Sequence, residues 1–161
     1  MNIFSPLLSN HYSAIVREKA RAGEYMQLHR IHVAGVVNHP KLGVMINQTQ
    51  IAEGSWAFWG CDISPGEDWR NALYVYIKQK TWIDDLQFYR ILWAQSFAPK
   101  IVAPDATFGL FVHVKTNSKG HGRGYRWVKN IQELEGLALF HPLVKSLCED
   151  ALNDRVTLFN K

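Results

Sequence analysis

The segment best suited to chemistry in this sequence is rich in both glycine and cations. In Ser118-Lys119-Gly120-His121-Gly122-Arg123-Gly124, three glycines alternate with two side chains that can donate hydrogen bonds. Glycines let a backbone approach a phosphate closely, and successive N–H groups can form an anion-binding nest. The segment follows neither Gly-x-x-x-x-Gly-Lys-Ser/Thr nor Gly-x-Gly-x-x-Gly before a helix. Two interpretations remain open: a contact to a phosphate or pantetheine group, and a mobile hairpin loop.

Positive charge extends on both sides of that segment. Residues 106–132 contain no Asp or Glu. The side chains that we expect to form a partner-binding hairpin are Lys115, Lys119, His121, Arg123, Arg126 and Lys129. A local positive face of this kind attracts phosphate, nucleic acid or an acidic protein. The alternative is a solvated basic loop without a partner.

The spacing of histidines and cysteines argues against a metal site. His29 and His32 are three residues apart on a predicted strand, so their side chains point to opposite faces. Cys61 and Cys148 are far apart and in no Cys-x-x-Cys pair, which predicts reduced, buried thiols with no disulfide and no zinc site. We therefore expect no metal and no cofactor. A single histidine acting as a general base remains open.

Length and composition indicate one folded domain. The chain has 161 residues, of which 47% are apolar and 20% charged, and its 8 Phe, 6 Trp and 6 Tyr exclude disorder as the dominant state. We expect a single domain over residues 1–161. No apolar run approaches the ~20 residues that a membrane span needs. The N-terminus lacks the basic start and long apolar stretch of a signal peptide, so we expect a cytoplasmic protein.

The first half of the chain predicts strands followed by a helix. Apolar patterning and turn residues mark a short helix, a strand and a hairpin, in the order His11–Ala22, Tyr25–Val37, and Gly43–Asn47 with Gln50–Phe58. Residues Asp68–Gln79 have helical spacing, although Leu73–Ile77 also alternates like a strand. The apolar residues from Trp82 to Phe97 again step by three or four, which favours a second helical segment.

The second half predicts a hairpin and closing helices. Phe108–Lys115 is the clearest strand, and we expect Tyr125–Lys129 to be its antiparallel mate. Asn130 followed by Glu133 resembles a capping box, and Pro142 suits the first residue of the last helix. Together these elements predict an α+β fold with a mainly antiparallel sheet and flanking helices.

Three segments resemble the RTX toxin-activating lysine acyltransferases, a family related in fold to the GNAT acetyltransferases. The similar segments are Leu28-His29-Arg30 upstream of His39-Pro40, the stretch Gln50–Phe58 with its Ser-Trp-Ala triplet, and Pro104-Asp105 through Phe108–Lys115 to Gly122. With gaps, they cover roughly residues 28–128. The resemblance implies a GNAT-like fold.

The resemblance also implies transfer of an acyl group from acyl carrier protein to a lysine. In that interpretation His29 is the base, Ser55 and Trp56 lie near the acyl site, and the basic hairpin meets the acidic carrier protein. The family's catalytic Asp precedes an Ala-Pro step, where this sequence offers Gln95. Because Gln cannot carry the charge that stabilises an imidazolium, an inactive relative is part of this hypothesis.

A second hypothesis needs no enzyme. A basic hairpin over residues 115–129 with Tyr125 and Trp127 interleaved suits contact to a nucleic-acid backbone and base stacking. The protein would then be a non-enzymatic accessory or inhibitor module, such as one from a mobile element, that binds nucleic acid or an acidic protein. Both hypotheses remain open from the sequence.

Overall fold

Seven strands form one sheet, with a helix on each side. A computed structural model describes residues 29–49, 54–97 and 106–154. The strands are β1 (His29–His39), β2 (Gly43–Gln48), β3 (Trp56–Ala57), β4 (Trp59–Ile63), β5 (Gln87–Phe97), β6 (Ala106–Lys115) and β7 (Tyr125–Val128). The helices are α1 (Trp69–Thr81) and α2 (Leu143–Leu152), preceded by a 3₁₀ helix at Ile131–Leu134. No helix in the described ranges is long and apolar enough to cross a membrane.

The sheet is mainly antiparallel around one parallel pair. Its strand order is β3-β2-β1-β6-β5, with β4 also paired to β1 and β7 to β2. Strands β1 and β6 run parallel from His29 beside Ala106 to Asn38 beside Lys115, and the other pairs are antiparallel. The predicted α+β class with a mainly antiparallel sheet and flanking helices is therefore confirmed.

Each face of the sheet is covered by its own apolar layer. Alternate residues of β1 point to opposite sides, so that Val33 and Val37 pack under α1 while Ala34 and Val36 pack under α2. Helix α1 lies close to the sheet because Gly35 carries no side chain: a Cβ there would lie 2.7 Å from Cδ1 of Ile77. Burial on both faces makes β1 the central strand of the molecule.

The predicted helices at Asp68–Gln79 and after Pro142 are confirmed. Asp68 caps α1 by accepting a hydrogen bond from the N–H of Arg70 at 2.9 Å. Asn130 caps the 3₁₀ helix in the same way, with Glu133 N–H as its donor. Helix α2 follows Pro142, and its stripe of Val144, Leu147, Cys148 and Ala151 is buried core. The predicted helix at His11–Ala22 lies outside the described residues.

The helical interpretation of Trp82–Phe97 is wrong. Helix α1 ends at Thr81, Trp82 adopts the left-handed conformation, and Gln87–Phe97 is strand β5. The pairing of β5 with β6 shifts register twice, between Phe88 and Arg90 and between Ile91 and Trp93. These bulges break the two-residue alternation of a strand and leave apolar residues spaced as in a helix.

The predicted partner of Tyr125–Lys129 is also wrong. Strand β7 pairs antiparallel with β2, from Val44 beside Val128 to Asn47 beside Tyr125. Both sides of β6 are already occupied, by β1 and β5, so β6 cannot accept a third neighbour. The chain after β6 must therefore pass two strands before it re-enters the sheet.

Candidate functional site

The glycine-rich segment is an anchored loop. We call residues 117–124 the basic loop. Its start is held by Asp85, which accepts a hydrogen bond from Asn117 N–H at 2.8 Å and another from the Thr116 hydroxyl. Farther along, His121 N–H donates to the Thr81 carbonyl at 2.6 Å, and the indole N–H of Trp127 donates to the Lys119 carbonyl at 3.2 Å. These bonds bind the loop to the end of α1 and to β7.

The six residues expected on one partner-binding face are divided among three places. Lys119, His121 and Arg123 lie exposed on the basic loop. The Arg126 guanidinium lies 6.0 Å above the Trp56 ring, beside the apolar layer under α2. Lys115 and Lys129 line a common cavity. The role of all six residues in binding a partner stays a prediction.

The residues expected to form an acyl site lie at the start of β1 and in or beside β3. His29 begins β1, and its side chain lies outside the described part of the chain. Trp56 lies in β3, where its N–H donates to the Ala138 carbonyl and its ring packs against the layer under α2. The Ser55 carbonyl accepts a backbone hydrogen bond from Thr49. Gln95 accepts a hydrogen bond from the indole N–H of Trp93 at 3.0 Å.

A cavity of about 550 Å³ opens at the carboxyl ends of β1 and β6. We call it the lysine trough. Its walls are the turn after β1, the residues that follow β6, Lys129 after β7, and the last turn of α2 with Asp154. Among the described residues that line it, the cations are Lys41, Lys115 and Lys129, and the single carboxylate is Asp154. This volume is in the range of small-molecule sites.

His39 and Asn38 hold the walls of the trough together. The buried His39 ring accepts hydrogen bonds at Nδ1 from the backbone N–H groups of Lys41 and Leu42, at 3.0 and 3.2 Å. Its Nε2 donates to the Asn117 carbonyl at 3.0 Å, so the neutral Nε2–H tautomer satisfies every bond. The Asn38 amide donates to the Ala151 carbonyl at 2.8 Å and ties α2 to β1. The turn that carries Lys41 is therefore fixed before a ligand arrives.

The two ends of the trough differ in charge. At one end the Asp154 carboxylate lies 3.4 Å from the Lys115 ammonium, 3.8 Å from the Arg90 guanidinium and 4.0 Å from His113 Nδ1. At the other end, no carboxylate of residues 29–49, 54–97 or 106–154 lies within 4.0 Å of the Lys41 or Lys129 ammonium. The trough therefore presents two cations that no described carboxylate neutralises.

Behind Lys115 lies a histidine that has no hydrogen bond. His113 is fully buried, and neither of its ring nitrogens finds a partner in the described structure. Burial, together with the positive charges of Lys115 and Arg90, lowers the pKa of His113 to about 4, although Asp154 acts in the opposite direction. The imidazole is therefore neutral near pH 7 and adds no charge to the trough.

A second polar cluster lies at the opposite end of β1. Asp62 accepts hydrogen bonds from His32 Nδ1, at 2.9 Å, and from the Arg30 guanidinium. Burial acts to raise the pKa of Asp62, but these two hydrogen bonds outweigh it and the pKa lies below its usual value. The three side chains are about half exposed. Cross-strand pairing of His32 with Asp62 brings them together, and this register is invisible in the sequence.

The described residues do not form a carboxylate-rich metal centre. Helix α1 contains Arg70, Lys78 and Lys80 but no Asp or Glu. Within the described ranges, no group of three or more His, Cys, Asp or Glu side chains lies around one point. Hard divalent cations such as Mg²⁺ prefer carboxylate oxygens. The donor set of the trough, with three amines and one carboxylate, fits an anionic ligand better than a metal ion.

Solved structures identify the fold. The chain is similar to the E. coli dihydroneopterin triphosphate pyrophosphohydrolase, with a TM-score of 0.64 and 12% identity over 80% of this chain and 99% of that one. It is also similar to a Nudix-family hydrolase from Clostridium perfringens (TM-score 0.62, 10% identity, 80% and 99% covered) and to the C. elegans Ap4A hydrolase (0.60, 14%, 76% and 95%). The chain has the Nudix hydrolase fold. No family model matches the sequence, and no curated protein matches it.

The Nudix fold overturns the acyltransferase interpretation. Resemblance to the RTX toxin-activating acyltransferases and to a GNAT-like fold is wrong, because the structural neighbours are consistently Nudix hydrolases. The roles of acyl carrier protein, of His29 as base, and of Ser55 and Trp56 at an acyl site rested on that resemblance. The described parts of the segments that suggested it belong to β1, β3, β6 and the basic loop, and strands and glycine-containing loops also occur in unrelated sheets. The second hypothesis, an accessory module that binds nucleic acid or an acidic protein, is no better supported by these structural neighbours.

Proposed function

We propose that this chain binds a small phosphorylated ligand of the nucleotide type in the lysine trough, and that it does so without hydrolysing the ligand through a metal centre. The observation that carries the proposal is a pair of ammonium groups, on Lys41 and Lys129, that face one cavity with Lys115 and have no carboxylate within 4.0 Å in the described part of the chain. Two of the structural neighbours are named for polyphosphate ligands, dihydroneopterin triphosphate and Ap4A. The sequence predicts a cytoplasmic protein, and that location is part of this proposal.

The geometry of the trough suits a phosphate chain better than a single ion. Lysine is a point charge with three rotatable donors, so several lysines can bind successive phosphates without strict angles. Unit charges 4 Å apart near a protein surface attract by about 4 kcal/mol before desolvation is counted. Part of that attraction is lost because Lys41 and Lys129 are exposed and hydrated. We therefore expect micromolar affinity and a clear dependence on salt.

We expect binding without turnover because Asp154 is the single carboxylate among the described residues that line the trough. Proteins that cleave phosphoanhydrides commonly use Mg²⁺ held by carboxylates to position water and to neutralise developing charge. Helix α1 carries no carboxylate, and in the trough the single Asp154 already has Lys115 beside it. The lysines can bind the phosphates, but nothing in the described structure activates the attacking water.

Titration calorimetry on the full chain tests the binding site. We expect ADP and pyrophosphate to bind in EDTA, and the double variant Lys41→Ala/Lys129→Ala to weaken both by at least about tenfold, since each lost charge-assisted contact is worth roughly 1.5 kcal/mol or more. The matched control is Lys119→Ala/Arg123→Ala, which removes the same charge from the basic loop. Equal losses in both double variants would show a diffuse charge effect and contradict a site in the trough.

A turnover assay tests the second half of the proposal. Incubation of the protein with ADP, ATP or a dinucleoside polyphosphate and Mg²⁺ should release no phosphate, pyrophosphate or smaller nucleotide above the buffer rate. Release that depends on Mg²⁺ and survives Lys41→Ala/Lys129→Ala would place hydrolysis outside the trough and overturn the non-hydrolytic assignment.

A further inference from the structure

The two ends of the lysine trough favour different chemical groups. The lysine end holds Lys41 and Lys129, and the Asp154 end holds the Lys115–Asp154 pair. A ligand that is anionic throughout would meet repulsion from Asp154 if it filled the whole trough. A ligand with phosphates at one end and hydrogen-bond donors at the other would match both.

Strand register sets the distance between the two ends. Lys129 follows Val128, which pairs with Val44 of β2, and Asn38 of β1 lies beside both Val44 and Lys115. Three neighbouring-strand spacings therefore separate the backbone of Lys129 from that of Lys115, or about 14 Å at the usual spacing. A simple phosphate ion cannot span this distance, whereas an extended nucleotide can.

Asp154 is held in place by the end of α2. Asn153 donates to the Glu149 carbonyl through its N–H at 3.0 Å and through its side-chain amide at 2.9 Å. The chain then turns at Asp154 with a φ of 48°, and its side chain remains 55% exposed. The C-terminal end of a helix carries partial negative charge, which further favours donors and cations at this position.

The carboxylate retains acceptor capacity after its contacts to the protein. An ionised carboxylate has about four lone-pair sites. Lys115 Nζ lies 3.4 Å from Oδ2, while the Arg90 guanidinium and His113 Nδ1 lie 3.8 and 4.0 Å from Oδ1, beyond hydrogen-bond distance. A pair of adjacent N–H donors on a ligand can therefore bind both oxygens at once, in the bidentate manner that strengthens charge-assisted bonds.

Resting on the proposed function, we infer that the ligand is a nucleotide whose base presents two adjacent N–H donors to Asp154, with its phosphates at Lys41 and Lys129. Guanine has such an edge, formed by N1–H and the 2-amino group. Hypoxanthine keeps N1–H and lacks the amino group, and the corresponding edge of adenine presents an acceptor at N1. Asp154 is thus the residue that determines specificity, and the lysines supply affinity.

Calorimetry with three diphosphates and pyrophosphate tests this inference. We expect the wild-type chain to bind GDP at least about tenfold more tightly than ADP, with IDP in between, because each bidentate pair is worth roughly 1–3 kcal/mol of discrimination. Asp154→Asn should reduce the GDP preference to about twofold or less without weakening pyrophosphate, since an amide presents only one acceptor. The matched control Glu149→Gln removes the same charge one turn earlier on α2 and should retain the full preference.

The outcomes separate this inference from the proposal on which it rests. If pyrophosphate and all three diphosphates fail to bind the wild-type chain, the proposed function and the inference both fall. If pyrophosphate binds in the trough and GDP shows no preference over ADP, only the inference falls. If Asp154→Asn tightens every ligand equally, Asp154 acts as an internal counter-anion to Lys115, and the donor-binding role is wrong.

Discussion

The basic loop and the lysine trough are two cationic regions that the fold treats in opposite ways. The basic loop concentrates charge and glycine within eight residues, and its backbone is bound to Thr81, Asp85 and Trp127. The trough collects single lysines from three separate parts of the chain, and two of them have no carboxylate neighbour in the described structure. The cations of the basic loop are neighbours in the sequence, whereas the lysines of the trough become neighbours only in the folded structure.

This difference shows that charge density along a chain is a poor guide to a binding site. Backbone groups of the basic loop form hydrogen bonds with the rest of the fold, so the loop serves to connect β6 to β7 across the end of α1. In the trough, the positive charges of Lys41 and Lys129 have no carboxylate partner among the described residues. Unneutralised charge beside a cavity indicates a ligand more directly than a run of basic residues does.

The largest effect on stability should come from a substitution that disturbs the packing of the basic loop. Gly120 has a φ of 70°, and a Cβ there would lie 2.8 Å from the Thr81 carbonyl oxygen and 2.9 Å from Ile83. We expect Gly120→Ala to lower the free energy of unfolding by about 3 kcal/mol, from left-handed strain plus the clash. Gly124→Ala is the control, with a φ of 80° and no atom within 4 Å, and should cost only ~1 kcal/mol. Equal losses in urea unfolding would show that the loop is not packed as described.

A somewhat smaller effect on stability should come from His113, which is buried behind the trough, and it should depend on pH. The folded pKa of His113 is about 4 against an ordinary value of 6.5, so the unfolded chain binds more protons between these values. Stability is then complete above pH 6.5 and falls as the pH decreases toward 4, by up to about 2–3 kcal/mol. His113→Leu should remove this slope and leave losses below pH 4, where carboxylates protonate. A slope that persists in His113→Leu would contradict a buried neutral imidazole.

The smallest effect on stability should come from Asp85, which links the wall of the trough to the basic loop. Asp85 binds Thr116, in the trough wall, and Asn117, in the basic loop. Asp85→Ala should lower stability by about 1–2 kcal/mol, because two charge-assisted bonds are lost at a partly exposed site. Asp84→Ala removes a neighbouring carboxylate with no described side-chain bond and should cost less than ~0.5 kcal/mol. If thermal unfolding shifts equally in both variants, the loss reflects net charge and the anchor is not supported.

Elements with local signals could be predicted from the sequence, and elements set by register could not. Asp68 and Asn130 act as caps because a side-chain oxygen satisfies an N–H two or three residues away. Strand β6 follows from its own alternation. Strand β5 was interpreted as a helix because two bulges disturb its alternation, and no local pattern reports the parallel pairing of β1 with β6.

The candidate site was harder to predict than the fold. Lys115 and Lys129 belonged to the expected basic hairpin, but Lys41 and Asp154 had no motif to single them out. Lys41 follows the His39-Pro40 turn, and that turn was the one available signal. Only the strand order β7-β2-β1-β6 brings these positions to one edge of the sheet. The family resemblance failed for a related reason, since three short segments carried no information about topology.

The parallel pairing of β1 with β6 also has a kinetic consequence. Residues 29–38 must find residues 106–115 before the centre of the sheet exists, with β2, β3, β4, α1 and β5 between them in the chain. Closing so long a loop costs conformational entropy before the stabilising contacts form, so this domain should fold slowly for its size. Because the walls of the lysine trough come from β1, β6, β7 and α2, the trough forms only when that slow central step is complete. A nascent chain on the ribosome therefore cannot complete the proposed binding site until α2 has emerged.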